Sequence, residues 1–139
     1  MGARLMARVQ GWELALVAAI AGARDLPFQW GVHDCATWAF DVRQALTGID
    51  AADAWRGKYR TEKGAARMLR RLRCKTVEDL AVSILGDPLS TTLFAQRGDI
   101  VLGGPEQALG VCIGSEALFL QPSGLVALPV RNCLKAWRV

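Results

Sequence analysis

The 139-residue sequence has a single histidine, His33, and this scarcity limits the acid–base and metal chemistry open to the chain. Its four cysteines lie far apart and form no CxxC or CxxH pair. Such pairs hold most structural zinc and iron–sulfur centres, so we expect no metal site, and no motif identifies another cofactor. A chain of this length buries a core without disulfides, so we expect the thiols to be reduced.

Long hydrophobic runs and a strong net charge are also missing. The apolar run from Leu14 to Ala23 is too short to span a bilayer. The net charge of +4 permits an acidic partner without requiring nucleic acid. The apolar content of 52% excludes a disordered chain, and the length corresponds to one domain, residues 1–139.

The N-terminal segment combines two patterns. Arg4 and Arg8 precede the apolar run, which ends in small residues, and this is the layout of a signal peptide. Apolar residues also recur through the segment at helical spacing. They are Val9, Trp12, Leu16, Ala19, Ile20 and Ala23. The periodicity predicts an amphipathic core helix over residues 7–23, so we expect no cleaved signal peptide.

The hydrophobic period changes from helical to alternating near residue 97. Residues 1–26 predict the N-terminal helix, 27–96 a helical half that contains Cys35, and 97–139 antiparallel strands. The further helices are predicted at 34–47, 62–73 and 76–85 with a helical turn at 51–55, and the strands at 99–102, 109–113, 117–121, 125–130 and 136–139. This order predicts an α+β fold in which N-terminal helices pack on a small antiparallel sheet.

The segment around Cys35 carries the clearest chemical signal. Asp34 is placed to cap a helix that begins at Cys35. A thiol at a helix N-terminus feels the positive end of the helix dipole, which predicts a lowered pKa and a nucleophilic thiolate. His33, two residues earlier, is the one imidazole that could act as its base. Cys35 also begins an apolar helix stripe, so a role as a small buried core residue stays open.

The order of motifs resembles the NlpC-like branch of the papain-like cysteine hydrolases. Residues 30–35 match the Trp-Gly-x-x-Asp-Cys start of that family's catalytic helix. Residues 97–102 match its Pro-Gly-Asp-Leu-Val strand entry, and residues 108–114 match its His-Val-Gly-Ile-Tyr-Leu-Gly strand. The resemblance covers residues 27–130 and implies a papain-like core.

The resemblance also assigns roles within a catalytic site, and one of them is lost. The family's histidine base corresponds to Ala108, which cannot accept a proton. Gln121 corresponds to the third, orienting polar residue. Asp34 and Ala36 correspond to the turn and to the backbone that holds an oxyanion at the start of the helix. If the chain is active, His33 or a residue of a partner chain would have to supply the base for Cys35.

Members of this kind, with the cysteine kept and the histidine lost, look like proteins of phage tail modules. The resemblance therefore implies a non-catalytic structural or assembly component of a phage tail tip or baseplate. Its partners would be other tail or baseplate proteins, and it would reside in the virion after assembly in the bacterial cytoplasm. The alternative is an active cysteine peptidase or amidase that cleaves peptidoglycan peptides through Cys35.

A basic stretch at residues 56–75 holds nine basic residues and one acidic residue, Glu62. This is either a solvated helix face or a docking surface for an anion or an acidic partner, with Arg67, Arg70 and Arg71 as the candidate contacts. The stretch has no aromatic residues spaced for base stacking and no major-groove motif, so nucleic acid is not the expected partner. An anion- or nucleic-acid-binding module remains a third reading, which a steep fall of affinity with salt would support.

Overall fold

The computed structural model of the protein describes residues 8–139, so Arg4 and the predicted helix start at residue 7 lie outside the described residues. Within this range, four α-helices precede five β-strands. The α-helices are α1 Trp12–Asp25, α2 Cys35–Thr47, α3 Glu62–Arg71 and α4 Val77–Leu85, with 3₁₀ turns at Ala51–Ala54, Thr92–Phe94 and Val130–Asn132. The strands are β1 Ile100–Gly103, β2 Ala108–Cys112, β3 Glu116–Gln121, β4 Gly124–Pro129 and β5 Lys135–Trp137. The predicted α+β fold with an N-terminal helical part is confirmed.

The five strands form one antiparallel sheet in the order β4-β3-β2-β1-β5. The first four strands follow one another as a meander. The fifth returns to the opposite edge and pairs with β1, with Ala136 opposite Val101. It ends at Trp137, two residues before its predicted end, because the backbone N–H of Val139 turns to a buried carboxylate.

The two faces of the sheet contribute to two apolar clusters. Leu109 and Val111 of β2 face the helices and pack in one cluster with residues such as Leu46 of α2. Cys112, between them and the next turn, points to the other face. That face is covered by the loops at 89–95 and 130–133. Successive side chains of a strand point to opposite faces, and both faces of this sheet are buried. The strand sequences are therefore almost continuously apolar.

Helix ends follow local capping chemistry. Gly48 ends α2 in a left-handed conformation with φ of 80°, and its N–H donates to the carbonyl of Gln44. Thr76 caps α4 by accepting from the N–H of Asp79 at 3.2 Å, and the Asp79 carboxylate in turn accepts from the N–H of Lys75. Each of these caps joins residues that are at most four positions apart, so the helix ends can be predicted from the local sequence.

The start of α1 differs from its prediction. Gly11, with φ of 77°, precedes the helix, which begins at Trp12 rather than at residue 7. Val9 consequently lies outside the helix and is 41% exposed, whereas Leu16 and Ala23 are buried in the core as predicted. In the part of the chain that the structure describes, no helix has both the length and the apolar content needed to cross a membrane.

Asp99 joins the two ends of the described chain. Its carboxylate is fully buried and pairs with Arg8 at 3.1 Å and with Arg138 at 3.0 Å. It also accepts from the backbone N–H groups of Gln96 and Val139 at 2.8 and 2.9 Å. Asp99 therefore fixes the entry to β1, and its charge is compensated by two guanidinium groups.

Gly110 in β2 occupies a site with no room for a side chain. A Cβ there would lie 2.5 Å from both the Leu118 carbonyl oxygen and the ring of Phe119. We expect Gly110→Ala to lower the free energy of unfolding by about 1–3 kcal/mol, the usual cost of overpacking, as measured by urea denaturation. Gly22→Ala is the matched control, because Gly22 lies in a helix with open space around it. It should gain roughly 0.5–1 kcal/mol, and equal losses in the two variants would contradict the steric account.

Candidate functional site

Cys35 lies at the first position of α2, where its thiol faces a small apolar pocket of about 60 Å³. The pocket lies between the start of α2, the loop before it, and helices α3 and α4. It is lined by Trp30, Asp34, Cys35, Ala36, Trp55, Tyr59, Ala65, Met68, Leu69, Leu72, Val77 and Leu80. Ala36 is itself buried. The predicted nucleophile position is thus at a pocket, but the surroundings are almost wholly hydrocarbon.

Burial, and to a smaller extent the neighbouring Asp34 carboxylate, raise the pKa of the Cys35 thiol to about 11. The backbone N–H groups of Leu109, Ala36 and Cys35 favour the thiolate but do not offset these effects. The lowered pKa expected at a helix N-terminus is therefore wrong. A helix dipole contributes about 0.3–1 kcal/mol, less than the 1.36 kcal/mol of one pKa unit, so desolvation outweighs it.

Asp34 has a structural hydrogen-bonding role. One carboxylate oxygen accepts from the N–H of Thr37 at 2.9 Å, which is the predicted N-cap. The other accepts from the N–H of Gly31 at 2.8 Å and from the hydroxyl of Tyr59. With three donors and 2% exposure, this carboxylate fixes the turn before Cys35. It also places a negative charge beside the thiol, which opposes ionisation.

The turn before Cys35 requires glycine at position 31. Gly31 has φ of 82°, and a Cβ there would lie 2.1 Å from the carbonyl oxygen of Tyr59. The Gly31 carbonyl accepts from the N–H of Gly57 at 2.8 Å. The loop that carries Trp30 is therefore held against the segment at 57–59, and this contact brings Tyr59 into the site. Sequence reasoning missed Tyr59, because nothing in the spacing of the chain links it to Cys35.

His33 is buried, with 7% exposure, and its ring is directed at α1. Its Nε2 atom lies 3.3 Å from the carbonyl oxygen of Ala23, and its backbone N–H donates to Gln29. Among the described residues, the groups that shift the pKa of Cys35, in addition to burial, are the Asp34 carboxylate and three backbone amides. The imidazole of His33 is not among them. This arrangement suits a loop histidine that hydrogen-bonds to the backbone.

The strand positions assigned by resemblance do not meet Cys35. Ala108 packs in the apolar cluster on the far face of the sheet, and its neighbour Leu109 is the β2 residue on the helical side. Gln121 shares a face of β3 with Phe119, which belongs to that same far cluster. On the helical side of β2, the backbone N–H of Leu109 lies near the Cys35 sulfur.

The basic stretch folds into a groove of about 460 Å³ beside α3. Lys58, Arg60, Arg67 and Arg71 supply its positive charge, and all four are exposed. Within residues 8–139 none of them forms an ion pair with a carboxylate. Arg70, the third candidate contact, is exposed but does not line this groove.

Arg56 belongs to the basic stretch, but it forms ion pairs with carboxylates. Its guanidinium pairs with Asp41 and, at 2.7 Å, with Asp50. Of the eight other basic residues in the stretch, four line the groove. Across residues 8–139, no group of histidine, cysteine or acidic side chains is arranged to hold a metal ion.

Three of the cysteines have buried sites away from this pocket. Cys74, Cys112 and Cys133 are buried, as their apolar surroundings predict, and all four thiols are free. Burial raises the pKa of both Cys112 and Cys133. Cys35 is the one cysteine that lines the pocket beside the α2 N-terminus.

Comparison with protein families identifies a family for this chain. A family model described as a domain of unknown function, DUF6950, matches residues 7–139. No curated protein matches the chain. Since the match spans nearly the whole sequence, this chain belongs to the DUF6950 family.

Proposed function

We propose that this chain is a non-catalytic domain of NlpC-like descent that serves as a structural or assembly component of a phage tail tip or baseplate. The observation that carries the non-catalytic part is the setting of Cys35. Burial and Asp34 raise the pKa of its thiol, and the backbone N–H of Leu109 lies near the sulfur. The phage part is supported by the resemblance of residues 30–35 and 97–114 to NlpC-like proteins.

The chemistry of the site favours a binding or structural role over turnover. With its raised pKa, the Cys35 thiol is predominantly protonated at pH 7. A missing general base costs a further 10²–10⁴ in rate. The backbone N–H groups of Cys35 and Ala36 favour the Cys35 thiolate, but they do not offset the effect of burial.

Alkylation of Cys35 against pH tests the state of the thiol. The rate with iodoacetamide should still rise between pH 9 and pH 11, because a raised pKa leaves the thiol protonated until the pH approaches that value. Mass spectrometry of the four cysteine peptides separates Cys35 from the others. The same protein in urea is the control, in which Cys35 should titrate near the ordinary value of about 8.5. A midpoint below 8.5 in the folded protein would show a tuned nucleophile and would overturn the non-catalytic proposal.

The phage assignment needs its own measurement. In particles from a host that encodes the chain, mass spectrometry of purified tails should detect it, or deletion of its gene should yield particles with defective tails. Normal particles after deletion, with the chain absent from tails, would contradict the assignment. Turnover of a peptidoglycan peptide by the wild type that is lost in Cys35→Ala would instead establish a hydrolase.

A further inference from the structure

Helix α3 presents two adjacent stripes of different character. One stripe, at positions 65, 68, 69 and 72, lines the apolar pocket beside Cys35. The other, at positions 64, 67, 68 and 71, lines the basic groove. Both follow the i, i+3, i+4, i+7 spacing of one helix face, so they are offset by a single residue. The apolar pocket and the basic groove are therefore neighbours on the same helix.

The two hollows share a wall. Tyr59 and Met68 line both of them. Tyr59 is held in place by its hydrogen bond to the buried Asp34, and Met68 is 6% exposed. A ligand lying in the groove thus passes directly beside the pocket. Methionine is a flexible side chain that adapts its shape to what packs against it.

The charge of the groove selects an anionic ligand. Lys58, Arg60, Arg67 and Arg71 face solvent, and no carboxylate within residues 8–139 pairs with them. Four unpaired cations in one concave surface produce a positive potential that attracts acidic groups and aligns them. An acidic partner would supply a counter-charge for them.

The pocket restricts what kind of anion fits. Its volume of about 60 Å³ is well below the roughly 150 Å³ of an apolar cavity that admits benzene. A nucleobase is therefore too large for it, and the Tyr59 hydroxyl is already engaged by Asp34. A short aliphatic side chain suits a slot of this volume, whose walls are aliphatic side chains together with Trp30, Trp55 and Tyr59.

We propose that this composite surface binds an acidic peptide segment of a partner protein, with its carboxylates in the basic groove and one aliphatic side chain in the pocket beside Cys35. The inference rests on the proposed function in one respect, because both take the domain to bind another protein. In this proposal, the pocket beside Cys35 serves as an anchor site for an apolar side chain of the partner instead of as a nucleophile site.

Fluorescence anisotropy with a designed probe tests the proposal. The probe is a fluorescein-labelled heptapeptide with leucine at its centre and glutamate elsewhere, added to the full chain at low salt. The double variant Arg67→Gln/Arg71→Gln should weaken binding by about tenfold. The double variant Arg70→Gln/Arg131→Gln removes the same charge from exposed sites outside the groove and should change binding by less than about twofold.

A second pair of variants tests the pocket. Ala65→Leu places a side chain into the slot, whereas Ala66→Leu adds the same group at an exposed neighbouring position. Ala65→Leu should reduce binding of the leucine peptide to that of a peptide with serine at the centre, and it should leave the serine peptide's affinity unchanged. Ala66→Leu should alter neither. The unchanged serine peptide shows that the groove of the filled variant is still folded.

Three results would overturn the proposal. One is equal loss in the two charge variants, which would mean unspecific attraction. Another is tighter binding of labelled hexathymidylate than of the leucine peptide, which would favour nucleic acid. The third is no binding of any peptide at low salt. Each is independent of whether the chain occurs in phage tails, so failure of the surface and failure of the phage assignment are distinguishable.

Discussion

Replacing Asp99 by alanine is expected to lower the free energy of unfolding by about 3–5 kcal/mol, measured by urea denaturation with tryptophan fluorescence. The variant removes the partner of two guanidinium groups and of two backbone N–H donors in a fully buried setting. Breaking a buried ion pair from one side leaves the other charges uncompensated, and this is more costly than the pair's net contribution.

Two controls define the Asp99 result. Glu106→Ala removes an exposed carboxylate from a turn and should change stability by less than about 0.5 kcal/mol. Arg138→Ala leaves Asp99 paired with Arg8, so a smaller loss of about 1–3 kcal/mol is expected. A loss below 1 kcal/mol in Asp99→Ala would show that water or rearrangement replaces the network. If that variant does not fold, the Arg138→Ala measurement still tests the account.

Replacing Gly31 by alanine is expected to cost about 3 kcal/mol and to disturb the Cys35 pocket. The left-handed φ of 82° costs a residue with a Cβ about 1–2 kcal/mol, and the clash with the Tyr59 carbonyl adds about 1–3 kcal/mol. Because the clash pushes the 57–59 segment away, the alkylation rate of Cys35 at pH 8 should rise as well.

Gly48 provides the matched control for Gly31. Its φ of 80° is nearly the same as that of Gly31, but open space surrounds the position of its Cβ. Gly48→Ala should therefore cost only the conformational part, about 1–2 kcal/mol, and should leave Cys35 unchanged. Equal losses at the two glycines would mean that the Tyr59 contact contributes nothing.

The fold was predictable wherever the signal is local. The cap residues Asp34, Gly48 and Thr76 act within four residues, and alternation marked all five strands to within one or two residues. The placement of β5 at the far edge of the sheet was not predictable, because pairing partners are chosen by the assembled sheet rather than by the strand itself. The start of α1 was misjudged because Gly11 breaks a periodicity that apolar residues alone continue.

The site shows the limits of local reasoning more clearly. The sequence correctly predicts that Cys35 begins a helix. The pKa of its thiol, however, depends on groups from distant parts of the chain, such as Leu109 and the pocket walls. The register of β2 decides that Ala108 faces away, and a motif match does not fix register. Arg67 and Arg71 share a stripe by their spacing, yet only the path of residues 57–60 makes that stripe a groove.

The closure at Asp99 has a kinetic consequence. Arg8 Nε donates to the carbonyl of Val139, which is 131 residues away in the sequence. The Arg8 guanidinium also donates to Asp99, which is 91 residues away. Contacts of such long sequence separation carry a large loop-closure entropy and form after the elements between them have assembled. An interaction absent from the folding transition state changes the rate of unfolding and not the rate of folding. We therefore expect loss of the ion-pair network to speed unfolding while leaving the folding rate nearly unchanged.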